Sequence, residues 1–383
     1  MNIVFVGLQG VPYYGRACDP RLANTANLLA EDADVTIVNR YSSLKHKTMQ
    51  GIELENKVKC VEIINRRNSC GLVTVLLFVI SILCEPFTLW RLHREEKIDY
   101  LHIYSGHYYD FVLYKIFAKL VGAKVIYEYV EYRSEKLSHP NLYHRLNSWL
   151  CDFHGAKLWD SCIAISNFLE QKAKEVKPSL PVIKVTPLCD FELFEKNDDV
   201  VDINEPYIMF CGRATYYDVV KFIIDSYNLS SIKNSKKLLL VLSGETTAID
   251  RIREYAPNVI IRTHLPYNQL IAYYKHAFAL MIPLRNEIGD IARFPNKVCE
   301  YTAAKGLIVT TCYGEMPYYF TNGVNAIIAE DCTVEAIAKR LNEVEAGMYD
   351  VEHIRKNCYQ TGLDHFSIRA YKNKLYDFLA ENR

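Results

Sequence analysis

Short continuous apolar runs alternate along this chain with longer stretches in which apolar positions recur every three or four residues. The short runs are mostly apolar, so they read as strands buried on both faces, the pattern of a parallel sheet covered by helices. In the first half they fall at 2–7, 34–38, 58–64, 100–104, 124–127, 161–165 and 182–185. Helices are predicted at 21–31, 109–121 and 141–154, with another starting at 166. A polar, acidic stretch, KNDDVVDINE, follows at 196–205. A second series then begins, with strands at 207–211, 238–243, 259–262, 279–282 and 307–310 and helices at 218–227, 248–255, 267–276 and 295–305. Helical patterns at 334–345, 351–360 and 366–379 close the chain. The expectation is an α/β protein of two doubly wound domains facing a central cleft. Their predicted limits are 1–195, a linker at 196–206, and 207–363, with a C-terminal helix at 364–383 packing back on the first domain. Ligands of such sheets bind beyond the carboxyl ends of the strands.

Composition narrows the function classes. A length of 383 residues suits two domains, half the residues are apolar, and 45 Lys and Arg balance 45 Asp and Glu. No net field recruits nucleic acid. The 12 cysteines lie singly, with no paired or zinc-type spacing, and read as reduced thiols of a cytoplasmic protein. MNIVFVGL reads as a first strand rather than a signal peptide. One segment raises a membrane question: GLVTVLLFVISILC at 71–84 carries no charge, but as a helix it reaches only about 21 Å before Glu85 and Pro86. A core helix and a helix lying against the inner face of a membrane both stay open, and a spanning helix is not expected.

The chemistry concentrates in RNEIGDIARFPNKVCEYTAAKGLIVTTCY, residues 285–313. Pro295 suits a first helical position and Gly306 the position past the helix end. The first amides, on Asn296, Lys297 and Val298, then lack partners within the helix, and with the nearby Lys297 they suit a phosphate. Glu300 shares a face with Asn296, where its carboxylate can accept both hydroxyls of a ribose. Local physics alone favours an ordinary capped surface helix with a solvated Glu.

Several segments together resemble the retaining glycosyltransferases of family 4, whose fold is GT-B, two Rossmann-like domains. They are FPNKVCEYTAAKGLIVTT at 294–311, TPLCDFELF at 186–194, IAIS at 163–166, FCGR at 210–213 and the Val130–Glu131 pair after VIYEY. The resemblance implies that Glu300 binds a ribose and that the diphosphate sits near the helix start, with Lys297 and Arg213 beside it. It implies that Leu265, in the loop 263–266, borders the base, and that Gly15, in the loop 10–16, approaches the donor. Phe294, Asn296, Val298 and Arg285 complete the donor-binding set, and Glu131 stands at the reaction centre.

Three departures from the family pattern stand out. Ala292 occupies the usual place of a sugar-binding Glu, for which Glu287, Asp290 or Arg285 could substitute. Asp218 occupies the place of a phosphate-binding Lys, with Lys221 and Lys297 as substitutes. Val130 replaces a His, leaving Glu131, Glu128 or His107 for that role, although a lone His in such a loop is more often structural.

The implied activity is hexosyl transfer from a UDP- or GDP-sugar to a saccharide or lipid-linked saccharide acceptor in polysaccharide assembly. No metal or cofactor is expected, and peripheral membrane contact accompanies a lipid-linked acceptor. A sugar-nucleotide epimerase or a non-catalytic nucleotide-sugar-binding scaffold are the alternatives.

Overall fold

The computed structural model describes residues 1–11, 19–42, 54, 57–65, 71–133 and 141–383. They form two compact units. Unit 1 comprises Met1–Leu188, Ala292–Phe294 and Ile368–Arg383, and unit 2 comprises Cys189–Ile291 and Pro295–Ser367.

Unit 1 contains β1 (Asn2–Leu8), α1 (Asp19–Ala30), β2 (Asp34–Ser42), β3 (Val58–Asn65), α2 (Gly71–Glu95), β4 (Tyr100–Ile103) and α3 (Tyr108–Val121). It continues with β5 (Lys124–Tyr129), α4 (Leu142–His154), β6 (Ser161–Ala164), α5 (Asn167–Val176) and β7 (Val182–Lys184). The strands make a seven-stranded sheet in the order β3-β2-β1-β4-β5-β6-β7. All pairings are parallel; Ile3 of β1 registers with Val35 on one side and Tyr100 on the other. Strands buried on both faces cannot alternate apolar with polar, which is why β1 reads NIVFVGL.

Strand order reverses between β1 and β4, the point where such sheets open a crevice. Gly7 sits there with φ +80°, and a Cβ at that position would come within 2.9 Å of the Tyr104 carbonyl oxygen. Only glycine permits both the backbone conformation and the close approach.

Right-handed crossovers put α2, α3 and α4 on one face of this sheet and α1 on the other. The C-terminal helix packs against α1. Two buried ion clusters tie the layers together. Arg40 of β2 donates to Glu85 of α2 at 2.7 Å and to Asp110 of α3 at 2.6 Å. Arg21 of α1 reaches Glu128 of β5 at 2.6 Å, and Glu128 also meets His102 of β4 at 2.8 Å.

The Glu85 cluster corrects the expected end of the apolar helix at residue 84. Glu85 is fully buried and also accepts from the Tyr114 hydroxyl at 2.8 Å. It therefore holds the helix to the body rather than breaking it, and α2 runs through Pro86 for 25 residues, about 37 Å. By length and composition α2 could cross a membrane, and only 17 % of its most apolar window is buried, which sets aside the core helix that the sequence left open.

Unit 2 contains α6 (Phe191–Lys196), β8 (Tyr207–Arg213), α7 (Tyr217–Leu229), β9 (Lys237–Ser243), α8 (Thr246–Tyr255), β10 (Ile260–Arg262), α9 (Tyr267–His276) and β11 (Ala279–Ile282). It continues with α10 (Ile288–Ala292), whose last residue counts with unit 1, α11 (Lys297–Ala303), β12 (Ile308–Thr311), α12 (Met316–Tyr319), β13 (Ile327–Ala329), α13 (Val334–Glu345) and α14 (Val351–His365). The C-terminal α15 (Lys372–Glu381) belongs to unit 1. Its anchors there include the Tyr100 hydroxyl donating to the Leu379 carbonyl at 2.7 Å.

The second sheet has six parallel strands in the order β10-β9-β8-β11-β12-β13. Its edge strand β13 has three residues and left no run long enough to predict.

The boundaries differ from expectation. The first unit ends at Leu188, not 195. The acidic stretch expected as a linker at 196–206 is strapped onto unit 2. Asp199 accepts from Asn268 at 2.5 Å, Asp202 pairs with Arg262 at 2.9 Å, and Tyr273 donates to Asp202. Its acidity reflects these partners rather than solvation of a free tether.

Candidate functional site

In unit 2 the strand order reverses between β8 and β11. All strands are parallel, so the loops after both strands leave from the same edge of the sheet. Arg213 is the last residue of β8, and Arg285 follows β11 in the loop that leads to α11. The chain passes from the carboxyl end of β11 through α11 to the start of β12. This places the N-terminus of α11 at the same edge.

The helix that carries the expected phosphate and ribose contacts is shorter than predicted. Instead of 295–305, α11 spans Lys297–Ala303, with Asn296 as its N-cap in a helical conformation. Pro295 lies before the helix, and the Val298 amide donates to the Pro295 carbonyl at 3.0 Å. Val298 is fully buried with its amide engaged, so it is not among the free donors expected. The Lys297 amide makes no hydrogen bond among the described residues.

The helix ends in paired bonds from Gly306 N–H to the Tyr301 carbonyl and from Lys305 N–H to the Thr302 carbonyl, both 3.0 Å. Lys305, not Gly306, takes the left-handed conformation, with φ 57°. Gly306 serves packing instead, because a Cβ there would meet Leu280 of β11 at 2.4 Å.

Glu300 is half-buried rather than solvated. The Tyr267 hydroxyl, at the start of α9, donates to its Oε1 at 3.1 Å. Burial pushes the Glu300 carboxyl above its ordinary value, and the Lys297 ammonium and the Tyr267 bond pull it partly back. Lys297 also opposes the rise that burial imposes on the thiol of Cys211, in β8 two residues before Arg213. One ammonium thus influences a group on β8 and a group on α11.

Lys297 and the exposed Arg213 form no ion pair among the described residues. The other candidate cations are already neutralised. Arg285 donates through Nε to Asp290 at 2.8 Å and lies 3.1 Å from Glu287. Lys221 pairs with Asp225 at 2.5 Å and lies over the Tyr255 ring at 4.9 Å. Lys221, the expected substitute phosphate ligand, is thus paired, as are Arg285, Asp290 and Glu287, the expected substitutes for the sugar-binding Glu. Asp218 is exposed in the first turn of α7.

Leu265 lies half-buried in the loop after β10, next to His264, whose φ is 56°. Phe294 and Ala292 are buried and count with unit 1, where the Ser166 hydroxyl donates to the Ala292 carbonyl at 2.5 Å. Gly15 lies outside the described residues.

In unit 1, Glu131 is exposed in the loop after β5. Glu128 is not a candidate for the reaction centre, being buried against Arg21 and His102. His107 precedes α3 and meets the Tyr143 hydroxyl at 3.2 Å; burial lowers its pKa, which keeps the ring neutral near pH 7. Among the described residues no group of three or more His, Cys, Asp or Glu is placed to hold a metal.

Sequence reasoning missed Tyr267. It stands at the first turn of α9 with only Pro266 to mark it, and its reach to Glu300 is a tertiary fact.

Residues 193–361 match the family model of glycosyl transferases group 1. No curated protein matches the chain in sequence. The fold is shared along the whole chain with solved structures. A sucrose-phosphate synthase from Thermosynechococcus elongatus has a TM-score of 0.77 at 12 % identity, covering 100 % of this chain and 98 % of its own. HepE of Anabaena, solved with UDP-glucose, has a TM-score of 0.69 at 13 % identity, covering all of both chains. WaaG, a glycosyltransferase involved in lipopolysaccharide biosynthesis, has a TM-score of 0.65 at 11 % identity, covering 99 % of each. These likenesses show the GT-B fold, two parallel-sheet α/β domains.

Proposed function

We propose that this chain, whose residues 193–361 match the group 1 glycosyl transferases, moves a hexose from a UDP- or GDP-sugar to a saccharide acceptor. Unit 2 holds the donor. The observation that carries the reading is a pair of cations, Arg213 and Lys297, that form no ion pair among the described residues and lie at the sheet edge where the strand order reverses, with the half-buried Glu300 near Lys297.

A nucleoside diphosphate fits this set. Its phosphates meet the Lys297 amide, the Lys297 ammonium and the Arg213 guanidinium, and its ribose hydroxyls donate to Glu300. Asn296 and Leu265 border the ribose and the base. Arg285 acts indirectly, by holding the loop after β11 through Asp290.

In the transfer, the bond between the anomeric carbon and the leaving phosphate oxygen breaks. The acceptor hydroxyl oxygen bonds that carbon, and its proton passes to a base. Negative charge grows on the leaving diphosphate, so fixed cations and an amide aimed at it lower the barrier. The family 4 resemblance implies Glu131, exposed after β5, for the reaction centre. The reaction runs with retention, as the family 4 resemblance implies, and it uses no metal because the cations above meet the phosphate charge. A lipid-linked saccharide in polysaccharide assembly is the proposed acceptor, at the cytoplasmic face of a membrane.

Calorimetry with UDP, GDP and their hexose conjugates tests the donor assignment. Binding of one nucleotide series, lost in Arg213→Ala, is expected. Transfer to a lipid-linked saccharide should follow, with the product's anomeric configuration read by NMR. Conversion of the donor to an epimer without acceptor would sink the transferase reading, and binding without turnover on any acceptor would favour a scaffold.

A further inference from the structure

The helix layer formed by α2, α3 and α4 is chemically inverted. On α2 the stripe facing the sheet is Ser81, Glu85 and Leu89, all buried. The opposite side carries Leu72, Leu76, Val79, Leu83, Phe87 and Trp90 at helical spacing. Leu72 is 83 % exposed and Phe87 is 78 % exposed. The apolar side of this helix therefore faces outward, and its buried charge faces inward. The neighbouring helices repeat the arrangement, with Val112, Ile116 and Leu120 outward on α3 and Leu142, Leu146, Trp149 and Phe153 outward on α4.

Charge completes the pattern. Asp110 and Asp152, the acids of α3 and α4, are buried, as is Glu85. The exposed charges on the three helices are Arg91, Arg94, Lys119 and Arg145, opposed by Glu95 alone, 4.0 Å from Arg91. Such a surface is too large and too apolar to be left in water by chance.

We propose that this face docks unit 1 on the surface of an anionic phospholipid bilayer, with α2 lying along the interface and not crossing it. The apolar stripes enter the boundary between headgroups and acyl chains, and the cations meet the lipid phosphates. Spanning is disfavoured by Glu85, because drawing α2 through the hydrocarbon would expose that carboxylate and leave Arg40 short of a partner. A second copy is disfavoured by charge, since a two-fold interface sets a patch against itself and cations would oppose cations. The proposal does not depend on the donor chemistry, and its test uses no nucleotide.

The test is co-sedimentation of the full chain with phosphatidylcholine vesicles, with and without phosphatidylglycerol. The chain should pellet with the anionic vesicles and be released by high salt or by alkaline carbonate. The double variant Leu76→Glu, Leu83→Glu changes only exposed positions and should lower vesicle affinity at least about tenfold, with an unchanged circular dichroism spectrum. Arg94→Glu with Arg145→Glu, a second route should the first variant misfold, should abolish the preference for phosphatidylglycerol. A chain that stays in the supernatant with anionic vesicles overturns the proposal, as does undiminished binding by both double variants. Resistance to carbonate would replace it with a spanning helix. A lipid-free dimer that the leucine variants dissolve would replace it with self-association.

Discussion

The two units are built on one plan and treat charge at the carboxyl edge of their sheets in opposite ways. Each is an all-parallel sheet whose order reverses once, between β1 and β4 or between β8 and β11. In unit 1 two buried cations are neutralised: Arg21 by Glu128, and Arg40 by Glu85 and Asp110. In unit 2, Arg213 and Lys297 form no ion pair among the described residues, and Glu300 is raised by burial. A buried ion pair already has its partner and serves architecture. An unneutralised cation beside a half-buried carboxylate has free energy left for a ligand to collect. The same residue types thus do structural work in one unit and, on the proposed function, meet substrate in the other.

The largest effect that could break this contrast lies in unit 1. Arg40→Ala leaves Glu85 and Asp110 buried without their cation, so denaturant unfolding should show a loss of about 3–5 kcal/mol. A loss below about 1 kcal/mol would mean the cluster is not structural.

Next comes Arg213→Ala. It should leave the fold intact and lower turnover about 100- to 1,000-fold, the effect typical of removing one donor to developing oxyanion charge. Unchanged kinetics would place Arg213 outside the site.

Glu300→Gln should weaken nucleotide affinity roughly tenfold or more, because a charge-assisted bond to each ribose hydroxyl contributes about 1.5–3 kcal/mol. Calorimetry of the two proteins decides it.

Acidity sharpens the same contrast with smaller effects. Burial raises the Glu300 carboxyl above its ordinary value, and in the proposed site its ionised form accepts from the ribose. Nucleotide affinity should therefore fall as pH drops through that raised pKa, and the dependence should vanish in Glu300→Gln. Its effect on stability has the opposite sign. Between the unfolded and folded values the folded state holds more protons, so this group's contribution to stability falls as pH rises through that window.

Glu128 runs the other way. Burial pushes it up, but Arg21 and His102 outweigh that and hold it below the usual range. Its stabilisation is present above the unfolded value and is lost as pH falls through the folded one. Glu128→Gln should accordingly blunt the acid sensitivity of unit 1 unfolding.

The smallest effect belongs to Lys221→Ala. Lys221 serves Asp225 on the helix surface, so nucleotide affinity should not change. A measurable loss would return Lys221 to the site.

Much of this was legible along the chain, for particular reasons. Strands such as β8 and β11 are continuous apolar runs, and a doubly buried parallel strand has no other way to be written. Asn296, Lys297 and Glu300 stood out because helix spacing places them on one end and one face. The helix limits were less legible. Pro295 and Gly306 are strong end signals, yet Pro295 proved to be the acceptor for Val298 rather than the first helical residue. Gly306 was selected by Leu280 rather than by backbone conformation. The end of α2 was misjudged because Glu85 in a sequence looks like a break, whereas a buried Glu85 beside Arg40 is an anchor.

What the sequence determined by itself was the alternation of strand and helix and two α/β domains; it also named the residues that the proposed function assigns to a phosphate and a ribose. Periodicity and end signals are local, so they survive in one dimension. Only the tertiary structure decided which charges were already neutralised. It withdrew Glu128, Lys221 and Arg285 from the list of free charges, left Arg213 and Lys297, added Tyr267, and turned the apolar side of α2 outward. Whether a charge has a partner depends on residues far away in sequence, and no local pattern carries that information.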